Sequence, residues 1–229
     1  MPPNTGDVAG VAARNNAAWC AVVGRHNAVE SHVANGVWRA HGVMPTGYPE
    51  AVTLERGIVR ADVLEALPAG ARSIKDSFAD LDLSRDGFHV LFDASWIALD
   101  TAGATAAARS GEHLRLERVR SPAALQEWAS AHGNRAAFTS GLLDEPAVAI
   151  LAARSSDAVT GGAILNDGEG VVGVSNVFGP AASVYRAAIA EARARFPGRP
   201  VVGWEPDDGL AAPLAAGFGI VGALRVWVR

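Results

Sequence analysis

Lysine is nearly missing from this chain of 229 residues: Lys75 stands alone, and arginine supplies the other basic side chains. The net charge is −4, without the clustered positive charge that neutralises phosphates, so a general nucleic-acid partner is excluded. Cysteine occurs once, at Cys20, which rules out an internal disulfide and any multi-cysteine metal site. Beside Trp19 on a helical stretch, that thiol reads as a small buried hydrophobe rather than a nucleophile. The six histidines (His26, His32, His41, His89, His113 and His132) never fall at His-x-His or His-x-x-x-His spacing, so no metal is expected. No apolar run approaches the ~20 residues that span a bilayer, and Met1 to Asp7 lack the basic and apolar regions of a secretory signal. No membrane partner is expected, and the cytoplasm is the expected location. Gly-x-Ser-x-Gly, Walker-type and Gly-x-Gly-x-x-Gly loops are missing too, which leaves hydrolase, NTPase and dinucleotide chemistry without local support.

What is present is a globular composition, 49% hydrophobic and 19% charged, long enough for one large domain or two small ones. A stretch of small, weakly patterned residues, 100–111, separates portions 1–100 and 113–229. The first portion reads as α+β. Val8, Val11, Ala12, Ala18, Trp19, Val22 and Val23 give one apolar face to a helix over Val8–His26, with Asp7 as N-cap. An irregular stretch rich in Gly and Pro follows. Then come a strand at 51–54, a short helix at 60–67, a strand or turn at 73–78 and the strongest strand, 88–99. Lys75 beside Asp76 and Asp80 reads as an ordinary surface ion pair, with a substrate clamp as the alternative. No internal repeat is evident.

In the second portion, alternation predicts a strand at 114–119, and Ser121-Pro122 opens a helix with Leu125 and Trp128 on its apolar side. A second short helix is read at 135–143. Three apolar runs, 147–153, 159–165 and 171–178, are separated by hairpin loops at 154–157 and 166–170. A helix at 180–196 separates the third run from a fourth, 201–204. A crossover of that length suits parallel neighbours, so the sheet should be mixed. An alternating strand at 224–229 closes the sequence. At the junction Gly179-Pro180, proline fits the first helical position because its missing N–H would be unpaired there anyway. The N–H groups of Ala181, Ala182 and Ser183 are then expected to be free and to favour an anion.

A meander, one crossover and a closing strand, in this order, resemble the GNAT acyltransferase superfamily across 113–229. Asn176-Val177-Phe178-Gly179-Pro180-Ala181 is similar to its Arg/Gln-x-x-Gly-x-Gly/Ala loop, with Asn in the first place, and Gly217-Phe218 to its Leu-Gly-Phe turn. The resemblance implies a GNAT-like mixed, mostly antiparallel sheet with flanking helices, beside an α+β N-terminal portion that is a degenerate GNAT-like half or a substrate lid. It implies acetyl-CoA or another acyl-CoA as co-substrate between 171–178 and 201–204. The backbone of Val174, Asn176, Val177 and Phe178 would face the pantetheine, and Gly179, Ala181, Ala182 and Ser183 the pyrophosphate. The implied acceptor is a small-molecule or peptide amine arriving from the opposite face of the sheet. Glu205 is the first candidate for its general base, with Asp207 and Asp208 nearby; all three equally read as a polar turn before a helix. The tyrosine that the superfamily often places four residues before Gly-Phe, to protonate the leaving thiolate, is Pro213 here. A thiol pKa of ~8.5 lets the thiolate leave unaided, more slowly. Tyr185 is expected to face away from any thioester, while Trp204 and Trp227 would suit a cationic or aromatic amine. Three functions stand at this point: an acyl-CoA-dependent N-acyltransferase, a catalytically weak or inactive GNAT-like ligand-binding protein, and a structural or partner-binding protein. A homodimer is compatible with each.

Overall fold

The computed structural model describes residues 7–65, 67–100 and 114–229. Most of the weakly patterned stretch at 100–111 lies outside them. Helix α1 (Val8–His26) starts where the Asp7 carboxylate accepts the Gly10 N–H at 3.0 Å. The region read as irregular contains a hairpin, β1 (Ser31–Ala34) and β2 (Val37–Ala40). Its turn, Asn35-Gly36, has φ of 51° and 69°, the left-handed pair whose twist matches antiparallel strands. That dipeptide was the overlooked signal. The half closes with β3 (Ala51–Thr53), α2 (Arg60–Glu65), β4 (Ser73–Asp76) and β5 (His89–Leu99).

The second half opens with a two-residue strand, β6 (Glu117–Arg118), and α3 (Pro122–His132), capped by Ser121 through the Ala124 N–H. The short helix read at 135–143 is instead a 3-10 turn, Ser140–Asp144. The meander β7 (Val148–Ser155), β8 (Ala158–Gly168) and β9 (Val171–Phe178) leads into α4 (Ala181–Arg195). Strand β10 (Val201–Pro206), the short α5 (Ala211–Ala215) and β11 (Gly219–Val228) complete it.

The eleven strands among the described residues form one sheet, in the order β1-β2-β3-β4-β11-β5-β10-β9-β8-β7-β6. It is mixed and mostly antiparallel, with β3–β4 and β9–β10 the parallel neighbours. Read inward from β1 and from β7, the order is the same: an antiparallel run of three, a parallel partner across a helical crossover, then a closing strand. The two closing strands are exchanged. Strand β5 pairs with β10 and β11 pairs with β4, while β5 and β11 pair with each other along the middle. Even the turns before them agree. Gly87-Phe88 and Gly217-Phe218 each place glycine at left-handed φ (81° and 100°) ahead of a buried phenylalanine. The chain thus contains a topological repeat that its sequence does not display.

The strands alternate between two buried faces. On one, Ile150, Ala152 and Ile164 pack against α1 and α3 around Trp19 and Trp128. On the other, Leu151, Ala163, Leu165 and Val174 pack against α4 through Val184, Tyr185 and Ala188. Two neighbouring asparagines tie α1 to both halves. Asn15 donates to Gly168 O (3.0 Å) and accepts from Asn166 Nδ2 (3.0 Å), while Asn16 accepts from Lys75 on β4. Among the described residues, no helix is long and apolar enough to cross a membrane.

Candidate active site

Strands β9 and β10 pair at Val172–Val201 and Gly173–Val202, and their pairing ends there among the described residues. Beyond that point β9 bulges. Three steps along β9, from Ser175 to Phe178, oppose two along β8, from Gly162 to Ile164, and Asn176 takes up the extra residue at φ 54°. The bulge reverses the alternation. Val174 faces the α4 core, whereas Phe178, four residues later, stands edge-on to Trp128 (5.3 Å) and His132 (5.4 Å) on the α3 side. A cavity of about 260 Å³ opens on that side, lined by the β9 bulge (Ser175, Asn176, Val177) and the end of β10 (Trp204, Glu205). The first half supplies Asn16, Trp19 and Cys20 from α1, Tyr48, and Lys75. His132 from α3 completes the wall.

Glu205 lies where β9 and β10 have separated. Its Oε1 accepts the Tyr185 hydroxyl, and burial, followed in effect by the nearby negative charge of Asp208, raises its pKa, partly offset by that hydrogen bond. Tyr185 is itself fully buried, packed edge-on to Phe218 (5.5 Å), and its pKa is raised by burial and by the Glu205 carboxylate. Helix α4 thus holds Tyr185 on its own side of the sheet, with the hydroxyl reaching the end of β10. Asp207 and Asp208 lie exposed in a 3-10 turn outside the cavity wall, where Asp207 accepts from Ser95 Oγ at 3.2 Å.

At the start of α4, the Ser183 N–H is already used, donating to Pro180 O at 2.9 Å. The expected trio of free donors is thus a pair, Ala181 and Ala182, which have no partner among the described residues. Arg186, exposed, donates to Ser183 Oγ at 3.2 Å and brings a positive charge to this end. Gly179 has a packing reason to be glycine: a Cβ would sit 2.3 Å from Thr160 O and 2.6 Å from Gly161 Cα.

Lys75 is not a surface ion pair. It is buried, donates to Asn16 Oδ1 at 2.8 Å and stands 4.0 Å from the Trp204 ring centroid; burial lowers its pKa to about 8. Cys20, next to it, is the buried hydrophobe expected, its thiol pushed up to about 11 by burial. His132 was singled out by no local pattern. It stacks on Trp128 (5.1 Å), burial lowers its pKa, and its buried Nδ1 has no partner. Only its place at the C-terminal end of α3, opposite the bulge, gives it relevance, and no spacing rule in the sequence reveals that. Trp227 does not join Trp204; it is buried with Val37, Ala51 and Ile74 on the far side of β4.

The meander, the crossover helix and the separating parallel strands define the fold of the GNAT acyltransferases. Among solved structures, the chain is similar to a GCN5-related N-acetyltransferase from Kribbella flavida, with a TM-score of 0.60, 13% identity and 95% of each chain covered. It is also similar to a putative GNAT-family acetyltransferase from Novosphingobium aromaticivorans, with a TM-score of 0.56, 15% identity, and 92% of this chain and 96% of that one covered. A tandem GNAT protein from the clavulanic acid biosynthesis pathway gives a TM-score of 0.52 at 13% identity, covering 84% of this chain and 78% of that one. At these identities the likeness is one of fold. No protein-family profile and no curated protein sequence matches the chain.

Proposed function

We propose that this protein is a cytoplasmic acyl-CoA-dependent N-acyltransferase, built from a GNAT-like half, 114–229, completed by a degenerate GNAT-like half, 7–100. The observation that carries this reading is the separation of β9 and β10 beside the Asn176 bulge, directly over a polar cavity. Backbone groups of Val174, Asn176, Val177 and Phe178 that have no β10 partner would hold an amide-bearing pantetheine arm. Ala181 and Ala182, with Arg186 alongside, would receive the pyrophosphate. The acceptor amine would occupy the cavity on the α1 side. Glu205, whose raised pKa makes it a stronger base than a solvated carboxylate, would take its proton directly or through a water, with Tyr185 as the positioning residue that fixes Oε1. Attack of the neutral amine on the thioester carbonyl breaks the C–S bond and releases the CoA thiolate.

Acetyl-CoA should raise the melting temperature by binding the native state alone, and a panel of amines should release free thiol. Glu205→Gln is expected to lower turnover by about 10²–10⁴-fold while leaving the thermal shift in place. A saturating acyl-CoA series that gives neither thermal shift nor heat of binding sinks the proposal. A second reading, ligand binding without efficient transfer, is favoured by Tyr185 and Phe218, which pack into the α4 side of the β9–β10 gap, and by Pro213. It keeps the thermal shift and yields no thiol with any amine.

A further inference from the structure

The gap between β9 and β10 depends on one residue that departs from strand geometry. Asn176, at φ 54°, is left-handed, a conformation that residues other than glycine adopt at a cost and keep where their surroundings enforce it. Were Asn176 extended, β9 would lose its bulge, and its side chains would go on alternating as they do up to Val174. Something must therefore hold the bulge.

The Asn176 side chain has two polar neighbours of different kinds. Its Nδ2 donates to Ser175 Oγ at 3.0 Å, and the side chain is also hydrogen-bonded to the Tyr48 hydroxyl, which meets the Trp19 indole N–H as well. Ser175 belongs to the bulge and moves with it; Tyr48 belongs to the other half and does not. Tyr48 lies in the loop between β2 and β3, buried, with its ring edge-on to Trp19 at 6.4 Å. That loop is pinned on both sides. The fully buried Glu50 carboxylate accepts the N–H groups of Met44 (3.1 Å), Arg72 (3.0 Å) and Ser73 (2.9 Å), and Thr46 O accepts Asn134 Nδ2 from the second half at 2.7 Å. A hydroxyl on so fixed a loop is set in place before any ligand arrives.

We infer that Tyr48 is a positioning residue: its hydroxyl holds Asn176 in the bulged conformation and so keeps β9 apart from β10. The first half then does more than wall the cavity, because it sets the geometry of a gap between two strands of the second half. That the gap receives an acyl-CoA rests on the acyl-transfer reading; that Tyr48 holds it open does not. The rival account is that Phe178, packed edge-on to Trp128 and His132, pins the bulge by itself.

A double-mutant cycle decides between them. Glycine takes a left-handed φ without being held, so Tyr48→Phe should matter when Asn176 is present and not after Asn176→Gly. In calorimetric titrations with acetyl-CoA, Tyr48→Phe is expected to weaken binding about tenfold in the wild-type background, the scale of one lost hydrogen bond. Added to Asn176→Gly, it should change affinity by less than about twofold. A general loosening of the loop would weaken both backgrounds alike. For a chain that binds acetyl-CoA, equal weakening in both backgrounds, or none in either, overturns the inference. Urea unfolding of the same four proteins reads the hold without the cofactor. Tyr48→Phe takes a partner from the Trp19 N–H in both backgrounds, so each loses some stability; the loss should be larger with Asn176 present, and equal losses overturn the inference. If no chain binds acetyl-CoA, the acyl-transfer reading falls, while unequal unfolding losses leave the role of Tyr48 standing.

Discussion

A buried lysine is destabilising while it carries its charge, and Lys75 is buried with one amide oxygen and two indole faces for company. Its pKa falls from 10.5 to about 8, so between those values the unfolded chain holds a proton that the native protein has released. Stability therefore rises with pH across that window, by on the order of 3 kcal/mol, and below pH 8 the burial penalty is fully present. Cys20 acts with the opposite sign: its pKa is raised from 9.0 to about 11, so the native state keeps a proton that the unfolded chain loses. The difference between wild type and Lys75→Met reports the lysine together with its coupling to Cys20. The variant is expected to be more stable by about 1–3 kcal/mol at pH 7, a lead that shrinks towards pH 10. Urea unfolding at pH 7, 8, 9 and 10 measures it, and parallel curves would mean that Lys75 is solvated. The sequence showed Lys75 as chemically singular, but not that it was buried. Neighbouring aspartates suggested a surface pair, whereas the structure places across from it Asn16 on a helix 59 residues away in sequence and Trp204 on the other half.

At the scale of elements, the most constrained point is the passage from β9 to α4. Gly179 holds φ 84° while its Cα lies against the backbone of β8, so alanine there faces both a left-handed conformation and two backbone clashes that no side-chain motion relieves. Gly198 is the control, since its φ is 76° and nothing lies within 4 Å of where a Cβ would be. Gly179→Ala is expected to destabilise by about 3 kcal/mol or more, and Gly198→Ala by about 1 kcal/mol, from the conformation alone. Denaturant midpoints at unchanged m-value measure both, and equal losses would show that β8 yields at Thr160. Helix α1 was legible because its apolar positions recur along one helical face, and the β7–β9 meander because continuous apolar runs of seven or eight residues are separated by hairpin loops. Strands of three or four residues, such as β1 to β4, are too short to establish a period, and the Asn35-Gly36 turn was their one strong mark. Of the candidate site, Glu205 and the strand-to-helix turn could be named from the sequence, and the structure brings Glu205 to the cavity wall. The site was not legible at Tyr185, His132 or Lys75, which enter through long-range packing. The bulge at Asn176 escaped as well, because a bulge shows only against its partner strand.

For the whole molecule, the exchange of β5 and β11 decides how it folds. Strand β10 depends on β5 over six paired positions, from Val201–Leu99 to Pro206–Ala94, and β11 has both of its neighbours, β4 and β5, in the other half. Segment 114–229 by itself would expose one edge of β10 and both edges of β11, a template for aggregation. Segment 7–100 would equally expose one edge of β4 and both edges of β5. Neither half should fold alone, although each holds its own parallel pair and crossover. The full chain is expected to unfold in a single transition, with near- and far-ultraviolet circular dichroism coincident, because the six tryptophans are spread over both halves and the sheet joins them. Produced separately, 1–100 and 114–229 should be insoluble or lack near-ultraviolet signal; produced together, they should assemble, since the pairings of β5 with β10 and β11 and of β4 with β11 lie within these two segments. A soluble 114–229 fragment with a cooperative transition of its own would show the exchange to be dispensable. The cavity follows the same logic. Its walls come from α1, β4 and the loop at Tyr48 on one side and from α3, β9 and β10 on the other, so a ligand there stabilises both halves at once. Ligand binding should therefore move the single transition as a whole rather than split it.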